Sequence, residues 1–204
     1  RDGMCVVDAA RRILDKARAE SCGKCVFCRE GTIQLSLLLQ DGTSGKGQSD
    51  DLELLAELAS VVRDNAGCEM AARAAGALAS LMEKYPEEFE QHWKRGRCSA
   101  LQCTAYFTVH ILPDRCTGCG ACRTACPVTA IAGDQGLVHV VDQQRCTRCG
   151  ACIDACEPVA RAIVKAGAVK PRTPDSPIPV GSWGEEGGGR RRRRRGDTEG
   201  SAEG

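Results

Sequence analysis

Eight cysteines between residues 116 and 156 form two copies of one motif, C-x2-C-x2-C-x3-C. The first three thiolates of such a loop can bind three irons of one [4Fe–4S] cubane, while the fourth cysteine points away, toward a second cubane. The spacing therefore predicts two clusters, the first held by Cys116, Cys119, Cys122 and Cys156, and the second by Cys146, Cys149, Cys152 and Cys126. A single motif would also suit zinc, but two in tandem favour iron–sulfur clusters.

A third cysteine group lies near the start of the chain. Cys22, Cys25 and Cys28 have the same C-x2-C-x2-C spacing, but no cysteine follows three residues later. The fourth ligand of a cluster here must therefore come from a distant part of the sequence. A helical pattern over 33–40 follows the loop, and the N–H groups and dipole at a helix N-terminus stabilise an anionic cluster.

Four cysteines stand outside these motifs; one of them is Cys68, and a histidine occurs near two of the other three. Cys5, Cys98 and Cys103 together with His92 make the donor set of a closed, tetrahedral structural zinc site. Such a site would fasten the first helix to the junction ahead of the repeated motifs. The alternative is that His92 is a surface helix residue and the three cysteines are free or buried.

Composition and charge narrow the class of protein. The net charge is +1, but six arginines form one run, Arg190–Arg195, and without it 22 basic residues stand against 27 acidic ones. The remaining chain is acidic, which argues against nucleic acid as a partner. We find no apolar run of 18 residues and no signal peptide, so we expect neither a membrane span nor export. Fifteen cysteines grouped in this way then indicate metal ligands in a reducing, cytoplasmic compartment.

Periodicity predicts an α+β fold in four parts. Residues 1–95 are predicted to form a small bundle of about five helices that carries an iron–sulfur site, and 96–112 a junction with the possible zinc site. Residues 113–166 are predicted to form a two-cluster ferredoxin-like module with a small sheet. In that sheet His110 and His139 are expected to point outward. The Pro-, Gly- and charge-rich remainder, 167–204, is predicted to be a disordered tail.

Catalytic signals are absent from the sequence. The glycine-rich stretches at 41–47 and 181–189 lack the strand and helix that flank a dinucleotide-binding loop. We recognise no Ser–His–Asp arrangement and no helical His-Glu-x-x-His motif. We therefore predict no catalytic residue and expect the chain to transfer electrons only.

Two stretches carry a resemblance to known families. The repeated motifs resemble a bacterial two-cluster ferredoxin. The stretch ESCGKC-x-x-CREG, followed by the helix DLELL-x-ELA and a lone cysteine, resembles the C-terminal region of the NADH-oxidising flavin subunit of complex I. With a ferredoxin module appended, the chain is most similar to the beta subunit of NAD-linked, electron-bifurcating [FeFe]-hydrogenases and related formate dehydrogenases.

The resemblance implies a further ligand, further cofactors and partners. It implies Cys68 as the fourth ligand beside Cys22, Cys25 and Cys28, although Cys68-Glu-Met-Ala replaces the usual C-G-L-G of the family. It supports the metal site of Cys5, His92, Cys98 and Cys103. FMN and NADH are expected only on a region N-terminal to this chain. The implied partners are a 2Fe–2S thioredoxin-like subunit, a hydrogenase or formate dehydrogenase subunit, and ferredoxin.

Three hypotheses follow for function. The first is an electron-transfer segment of an NADH:acceptor oxidoreductase with three [4Fe–4S] clusters and possibly one structural zinc. The second is a stand-alone iron–sulfur carrier or scaffold without a flavin partner. The third is a module that binds zinc alone, which about twelve irons per chain would exclude.

Overall fold

Five α-helices occupy the N-terminal half of the chain, in a computed structural model that describes residues 3–184. They are α1 Val6–Ala19, α2 Val26–Ser44, α3 Asp51–Asn65, α4 Glu69–Lys84 and α5 Pro86–Trp93. Among the described residues, none of the helices is both long enough and apolar enough to cross a membrane.

Helix α1 shows how the local sequence specifies these elements. Its buried residues Val7, Ala10 and Leu14 recur at helical spacing and form one apolar face. Cys5 caps the helix, because its Sγ accepts a hydrogen bond from the Asp8 backbone N–H at 3.4 Å. The residue that begins the helix is thus also a candidate metal ligand.

Helix α2 is longer than its sequence pattern predicts. The pattern indicates 33–40, yet the helix runs from Val26 to Ser44. Gly42 lies in this extension, and a Cβ there would lie only 2.3 Å from the Trp93 ring of α5. The glycine is therefore kept for close packing between two helices. The helix ends one turn later at Gly45, which has a φ of +78°.

The helices share one core. Helix α1 packs against α2 and α4, and α3 packs against the same two helices. The core consists mostly of leucine and alanine, including the fully buried Leu14, Leu35, Leu39, Leu55 and Leu78. Each such leucine contributes roughly 1.5–3 kcal/mol of hydrophobic stabilisation. Two of the few aromatic residues, Phe89 and Trp93, stack on α5 with ring centroids 6.1 Å apart.

The C-terminal module, from Phe107 onward, contains two short helices and six short strands. They are β1 Thr108–Ile111, α6 Ala121–Thr124, β2 Ile131–Ala132, β3 Leu137–Val138, β4 Val140–Val141, α7 Ala151–Cys156, β5 Ile163–Ala166 and β6 Ile178–Pro179. The strands form three antiparallel pairs, β1 with β5, β2 with β4 and β3 with β6. In the longest pair Thr108 is opposite Ala166 and Ile111 is opposite Ile163.

The segment after β5 corrects the predicted start of the tail. A disordered tail is predicted from residue 167, but β6 pairs with β3, with Ile178 opposite Val138. Ile178 also packs against the core of the module, so an apolar side chain retains a segment whose composition suggests disorder. The remainder of the predicted tail, residues 185–204 with the arginine run, lies outside the described residues.

Polar contacts join the helical region to the C-terminal module. The Tyr106 hydroxyl, in a 3₁₀ turn between the two, donates to the backbone oxygens of Gly42 at 2.5 Å and His92 at 3.1 Å. From the module, Arg148 donates to the Thr104 carbonyl in the same turn at 2.8 Å. The turn is therefore held from both sides.

Candidate metal centres

The eight repeated cysteines line two separate cavities in the C-terminal module. One cavity is lined by Cys116, Cys119, Cys122 and Cys156. A second cavity is lined by Cys126, Cys146, Cys149 and Cys152. Each cavity thus collects three cysteines of one motif and the last cysteine of the other motif, which is the grouping that the spacing predicts.

Short helices produce this exchange of ligands. Gly120 and Gly150 precede α6 and α7 with φ of +81° and +90°, and this left-handed conformation turns each cysteine loop into its helix. The fourth cysteine of each motif then lies at or just beyond the end of the helix, one turn from its loop. The Cys126 sulfur is further oriented by the Ala130 backbone N–H, which donates to it at 3.2 Å.

The electrostatics of the two cavities favour a cationic occupant. Burial, and to a smaller extent the neighbouring Cys116, raise the pKa of Cys122 to about 12. Burial likewise raises the pKa of Cys152 to about 11, with Cys146 adding to the effect. Converging thiols of this kind ionise readily only when a metal compensates the charge. The donor sets therefore fit iron–sulfur clusters.

Two helix N-termini meet at the N-terminal cysteine group. Cys25 is the residue before α2, and Cys68 is the residue before α4. Hydrogen bonds from backbone N–H groups lower the pKa of both thiols, with Cys28 the main donor to Cys25 and Ala71 the main donor to Cys68. Cys68 has an extended conformation, φ −110° and ψ 117°, so this chain enters α4 without the glycines that its family pattern contains.

The other two cysteines of this group differ from each other. Cys28 is buried and lies beside Cys68 and the Ser21 hydroxyl, whose oxygen is 3.4 Å from the Cys28 sulfur. Burial is the main cause that raises the pKa of Cys28. Cys22 is exposed at the start of the loop. The structure therefore brings Cys25, Cys28 and Cys68 together and leaves Cys22 on the solvent side. No pattern in the sequence indicates the contact of Ser21.

The remaining candidates form a compact, buried group. The ligand atoms of Cys5, His92, Cys98 and Cys103 all lie within 4.8 Å of one another. The His92 Nε2 atom is 3.3 Å from the Cys5 sulfur and 3.5 Å from the Cys103 sulfur, and these two sulfurs are 3.7 Å apart. His92 is only 2% exposed, so the alternative of a surface histidine is wrong.

These distances match those of a single tetrahedral zinc ion. With Zn–S near 2.3 Å and Zn–N near 2.0–2.1 Å, tetrahedral ligands are separated by about 3.8 Å between sulfurs and about 3.6 Å between sulfur and nitrogen. The observed separations are 3.7 Å and 3.3–3.5 Å. The group therefore fits zinc in both donor type and size.

His92 is oriented for binding through Nε2. Its Nδ1 atom lies 2.7 Å from the Glu88 carbonyl oxygen, to which it donates as Nδ1–H, and this directs the Nε2 lone pair toward the sulfurs. Burial lowers the pKa of His92, but contacts with the Cys5 and Cys98 sulfurs raise it to about 10. Without a metal the four groups share protons, and a bound dication would replace those protons.

Neighbouring residues contact the ligands of this compact group, and the sequence analysis did not indicate them. The Gln102 side-chain oxygen accepts from the Cys5 backbone N–H at 2.8 Å. The Tyr106 ring meets the His92 ring edge-on, with centroids 5.3 Å apart. The contact between Glu88 and His92 could have been predicted, because Glu88 lies four residues before His92 on the same helix. Gln102 is 97 residues from Cys5, so no local pattern reveals its role.

His139 differs from its prediction. It is expected to point outward from a strand, but it is 1% exposed and lies beside the cavity of Cys116, with its Nδ1 3.9 Å from the Cys116 sulfur. An alternation of inward and outward side chains along one strand does not apply here, because His139 lies between two strands with different partners. β3 pairs with β6, and β4 pairs with β2. His110 is half-buried, and its Nε2 lies 2.8 Å from the Thr108 hydroxyl.

Two family models match the chain. Residues 8–92 match the NADH-ubiquinone oxidoreductase-F iron–sulfur binding region, and residues 108–183 match the 4Fe-4S dicluster domain. The second match includes β6, in agreement with the later start of the tail. The matched regions together include all twelve cysteines of the three predicted cluster sites.

Similar proteins are subunits of redox enzymes. The chain is 39% identical over 135 residues to the NADP-reducing hydrogenase subunit HndC of Solidesulfovibrio fructosivorans, covering 66% of this chain and 28% of that protein. It is 41% identical over 88 residues to a subunit of the NADH-quinone oxidoreductase of Streptomyces coelicolor, covering 43% and 20%. It is 37% identical over 93 residues to the beta subunit of the NADP(+)-dependent formate dehydrogenase of Moorella thermoacetica, covering 42% and 13%.

The chain spans less than a third of the length of each of these relatives. Among solved structures, an NAD+-reducing [NiFe]-hydrogenase in the H2-reduced state matches with a TM-score of 0.42 and 23% identity. That match covers 45% of this chain and 16% of the hydrogenase chain.

Proposed function

We propose, because this chain joins an NADH-ubiquinone oxidoreductase-F iron–sulfur binding region to a 4Fe-4S dicluster domain, that it is the electron-transfer segment of an NADH:acceptor oxidoreductase. The two cysteine-lined cavities of the C-terminal module carry this proposal, since each presents a complete set of four ligands. When bound, [4Fe–4S] clusters supply one-electron transfer.

The proposal assigns twelve cysteines to three clusters. One cluster is held by Cys22, Cys25, Cys28 and Cys68, one by Cys116, Cys119, Cys122 and Cys156, and one by Cys126, Cys146, Cys149 and Cys152. Residues 1–95 then act as a helical iron–sulfur-binding bundle, 96–106 as the junction, and the residues from Phe107 as a ferredoxin-like module, because β1 pairs with β5.

The N-terminal site is suited to exchange electrons with a neighbouring domain. Backbone N–H groups at the starts of α2 and α4 stabilise negative charge on Cys25 and Cys68. Val26 and Phe27 are exposed beside the loop, and Cys22 is exposed as well. We propose that this face packs against a flavin- and NADH-binding region N-terminal to the chain. FMN and NADH bind on that region and not on the residues described here.

The compact site of Cys5, His92, Cys98 and Cys103 is proposed to hold structural zinc. It joins the start of α1 to α5 and to the turn that enters the C-terminal module. Four protein ligands close the coordination shell, so the ion has no open position for substrate. Its role is to fix the helical region relative to the module, because electron transfer needs constant distances between clusters.

The partners are proposed from the relatives. A hydrogenase subunit and a formate dehydrogenase subunit are among them, so we propose a multi-subunit complex with a hydrogenase or formate dehydrogenase subunit and a 2Fe–2S thioredoxin-like subunit. Ferredoxin is the proposed carrier at the C-terminal module, and the reducing cytoplasm is the proposed location. A stand-alone carrier is not favoured, because residues 8–92 match a region of NADH-ubiquinone oxidoreductase-F.

Metal analysis and NADH reduction test the proposal. Protein purified without oxygen should contain about twelve irons per chain and one zinc. Expressed in frame with its upstream region, it should be reduced by NADH, as followed by electron paramagnetic resonance (EPR). About eight irons or fewer would contradict three clusters. Full iron loading without reduction by NADH would contradict the link to a flavin domain.

A further inference from the structure

The two motifs of the C-terminal module provide an internal comparison. Counting back seven residues from the first cysteine of each motif reaches Val109 for Cys116 and His139 for Cys146. Each of these residues lines the cavity of the opposite cysteine set. Val109 lines the cavity of Cys146, and His139 lines the cavity of Cys116. Equivalent positions thus face the two cavities with different chemistry, an aliphatic side chain in one and an imidazole in the other.

The imidazole of His139 is held tightly at its position. Its side chain is buried, and its Nδ1 lies 3.9 Å from the Cys116 sulfur, within range of an N–H···S contact. Gly133 packs against the ring, and a Cβ at that glycine would approach the His139 Cδ2 to 3.0 Å. Gly133 also has a φ of +125°, which disfavours a larger residue. The ring therefore has little room to turn away from the sulfur.

The environment of Nε2 determines whether His139 Nδ1 carries the proton and donates to the Cys116 sulfur. The Nε2 atom of His139 is buried and has no hydrogen-bond partner among the described residues. A neutral imidazole has one N–H, and burying it without an acceptor is more costly than placing it toward a sulfur. The proton therefore belongs on Nδ1, from which it points at Cys116.

We propose that His139 is a positioning residue that donates an Nδ1–H···S hydrogen bond to Cys116 and raises the reduction potential of the cluster held there. This rests on the proposed function, since it requires clusters in both cavities. Hydrogen bonds to the sulfurs tune such potentials, and they stabilise the reduced form because it carries one more negative charge. Val109 offers no such donor to the other cluster.

The consequence is a preferred location for a single electron within the module. With clusters bound at both sites, transfer of one electron from the cluster held by Cys146 to the cluster held by Cys116 would involve no proton. His139 shifts this equilibrium toward the Cys116 side. The same imidazole also lines a surface groove that contains Cys119, Arg145 and Arg123, the last of which is paired with Asp134.

EPR-monitored redox titration of the full chain with His139→Val tests the proposal. The substitution installs the residue type of the equivalent position. Loss of one hydrogen bond to a charged sulfur should change the equilibrium about tenfold, so that one midpoint potential falls by about 59 mV while the others stay in place. The matched control, His110→Val, removes a histidine that lines neither cavity and should leave every potential unchanged.

A conservative variant separates the hydrogen bond from packing. His139→Asn keeps an N–H donor near the position of Nδ1 and should restore most of the lost potential. An unchanged potential in His139→Val, or an equal fall in His139→Asn, would overturn the proposal. Wild-type protein that assembles no clusters would contradict the proposed function itself, whereas assembled clusters with unaltered potentials contradict only the role of His139.

A measurement on the wild-type protein covers the case in which His139→Val does not assemble clusters. Histidine labelled with ¹⁵N introduces only three labelled residues. Pulsed EPR of the reduced protein should detect ¹⁵N coupling to one cluster of the module, and the coupling should persist in His110→Val. Its absence from the wild-type protein would overturn the hydrogen bond.

Discussion

The two cysteine sites of the helical region use similar ligands in different settings. In the compact site, Cys5, His92, Cys98 and Cys103 are all buried, with ligand atoms within 4.8 Å of one another. In the open site, Cys22, Cys25, Cys28 and Cys68 range from exposed to buried and surround two helix N-termini. The first arrangement fits a single enclosed ion, and the second fits a charged group that is partly exposed to solvent.

In the proposed assignment, burial and ligand spacing, more than ligand type, separate a structural site from an electron-transfer site. A closed shell of four ligands excludes solvent and gives rigidity. An exposed ligand beside Val26 and Phe27 shortens the path to an external donor. Three substitutions and one alkylation experiment test this contrast between the compact site and the open site.

Cys98→Ser should have the largest effect. Structural zinc contributes roughly 10–16 kcal/mol of apparent binding free energy, so losing the ion with one of its ligands should lower the free energy of unfolding by more than about 3 kcal/mol. Zinc should fall from one per chain to near zero by elemental analysis, while iron stays at about twelve. Unchanged zinc content in this variant would show that the compact site holds no zinc.

Cys22→Ser should have a large but different effect. It removes the exposed ligand of the open site, so iron should fall from about twelve to about eight per chain. Zinc should remain, because the compact site shares no ligand with the open site. A loss of zinc here would mean that the two sites are coupled rather than independent.

Gly42→Ala should have a moderate effect on stability alone. The added Cβ would lie 2.3 Å from the Trp93 ring, next to His92 on α5, and such overpacking costs about 1–3 kcal/mol. Gly76→Ala is the matched control, because the nearest atom to its Cβ is in Arg63 at 3.7 Å. That variant should gain about 0.5–1 kcal/mol from helix propensity. Chemical denaturation measures both, and a similar loss in the two variants would contradict the close packing of Gly42.

The difference in thiol reactivity between Cys25 and Cys28 should be the smallest of these effects. Backbone N–H donors, mainly that of Cys28, lower the pKa of Cys25, whereas burial is the main cause that raises the pKa of Cys28. A lower pKa gives more thiolate at a given pH, so in protein produced without iron Cys25 should be alkylated at a lower pH than Cys28. Mass spectrometry of peptides from a pH series would measure this, and the reverse order would contradict the role of the N-terminus of α2.

Much of the ligand assignment could be predicted from the sequence. The repeated motif is local, so its spacing alone predicts that Cys126 and Cys156 exchange between clusters, and the two cavities have that arrangement. The four ligands of the compact site follow from donor chemistry once the family resemblance gives Cys68 to the open site, because three cysteines and one nearby histidine then remain. The ligands proposed for zinc and iron remain predictions until metal is measured.

Other features could not be predicted, because they depend on contacts between distant residues. The close packing of Gly42 against Trp93 joins two residues 51 positions apart in the chain. The strand pairing of Ile178 depends on an edge formed by Val138. Composition predicts disorder for that segment because composition carries no information about an available edge.

Residue type and local spacing specify which atoms can bind metal and how they are divided among sites, because short loops bring nearby cysteines together whatever the rest of the chain does. The packing of the folded chain was needed to bury His92 and Cys5 together, to leave Cys22 exposed, and to place His139 against Cys116. Burial and close approach arise when separate helices and strands pack, and the spacing within a motif does not contain that information.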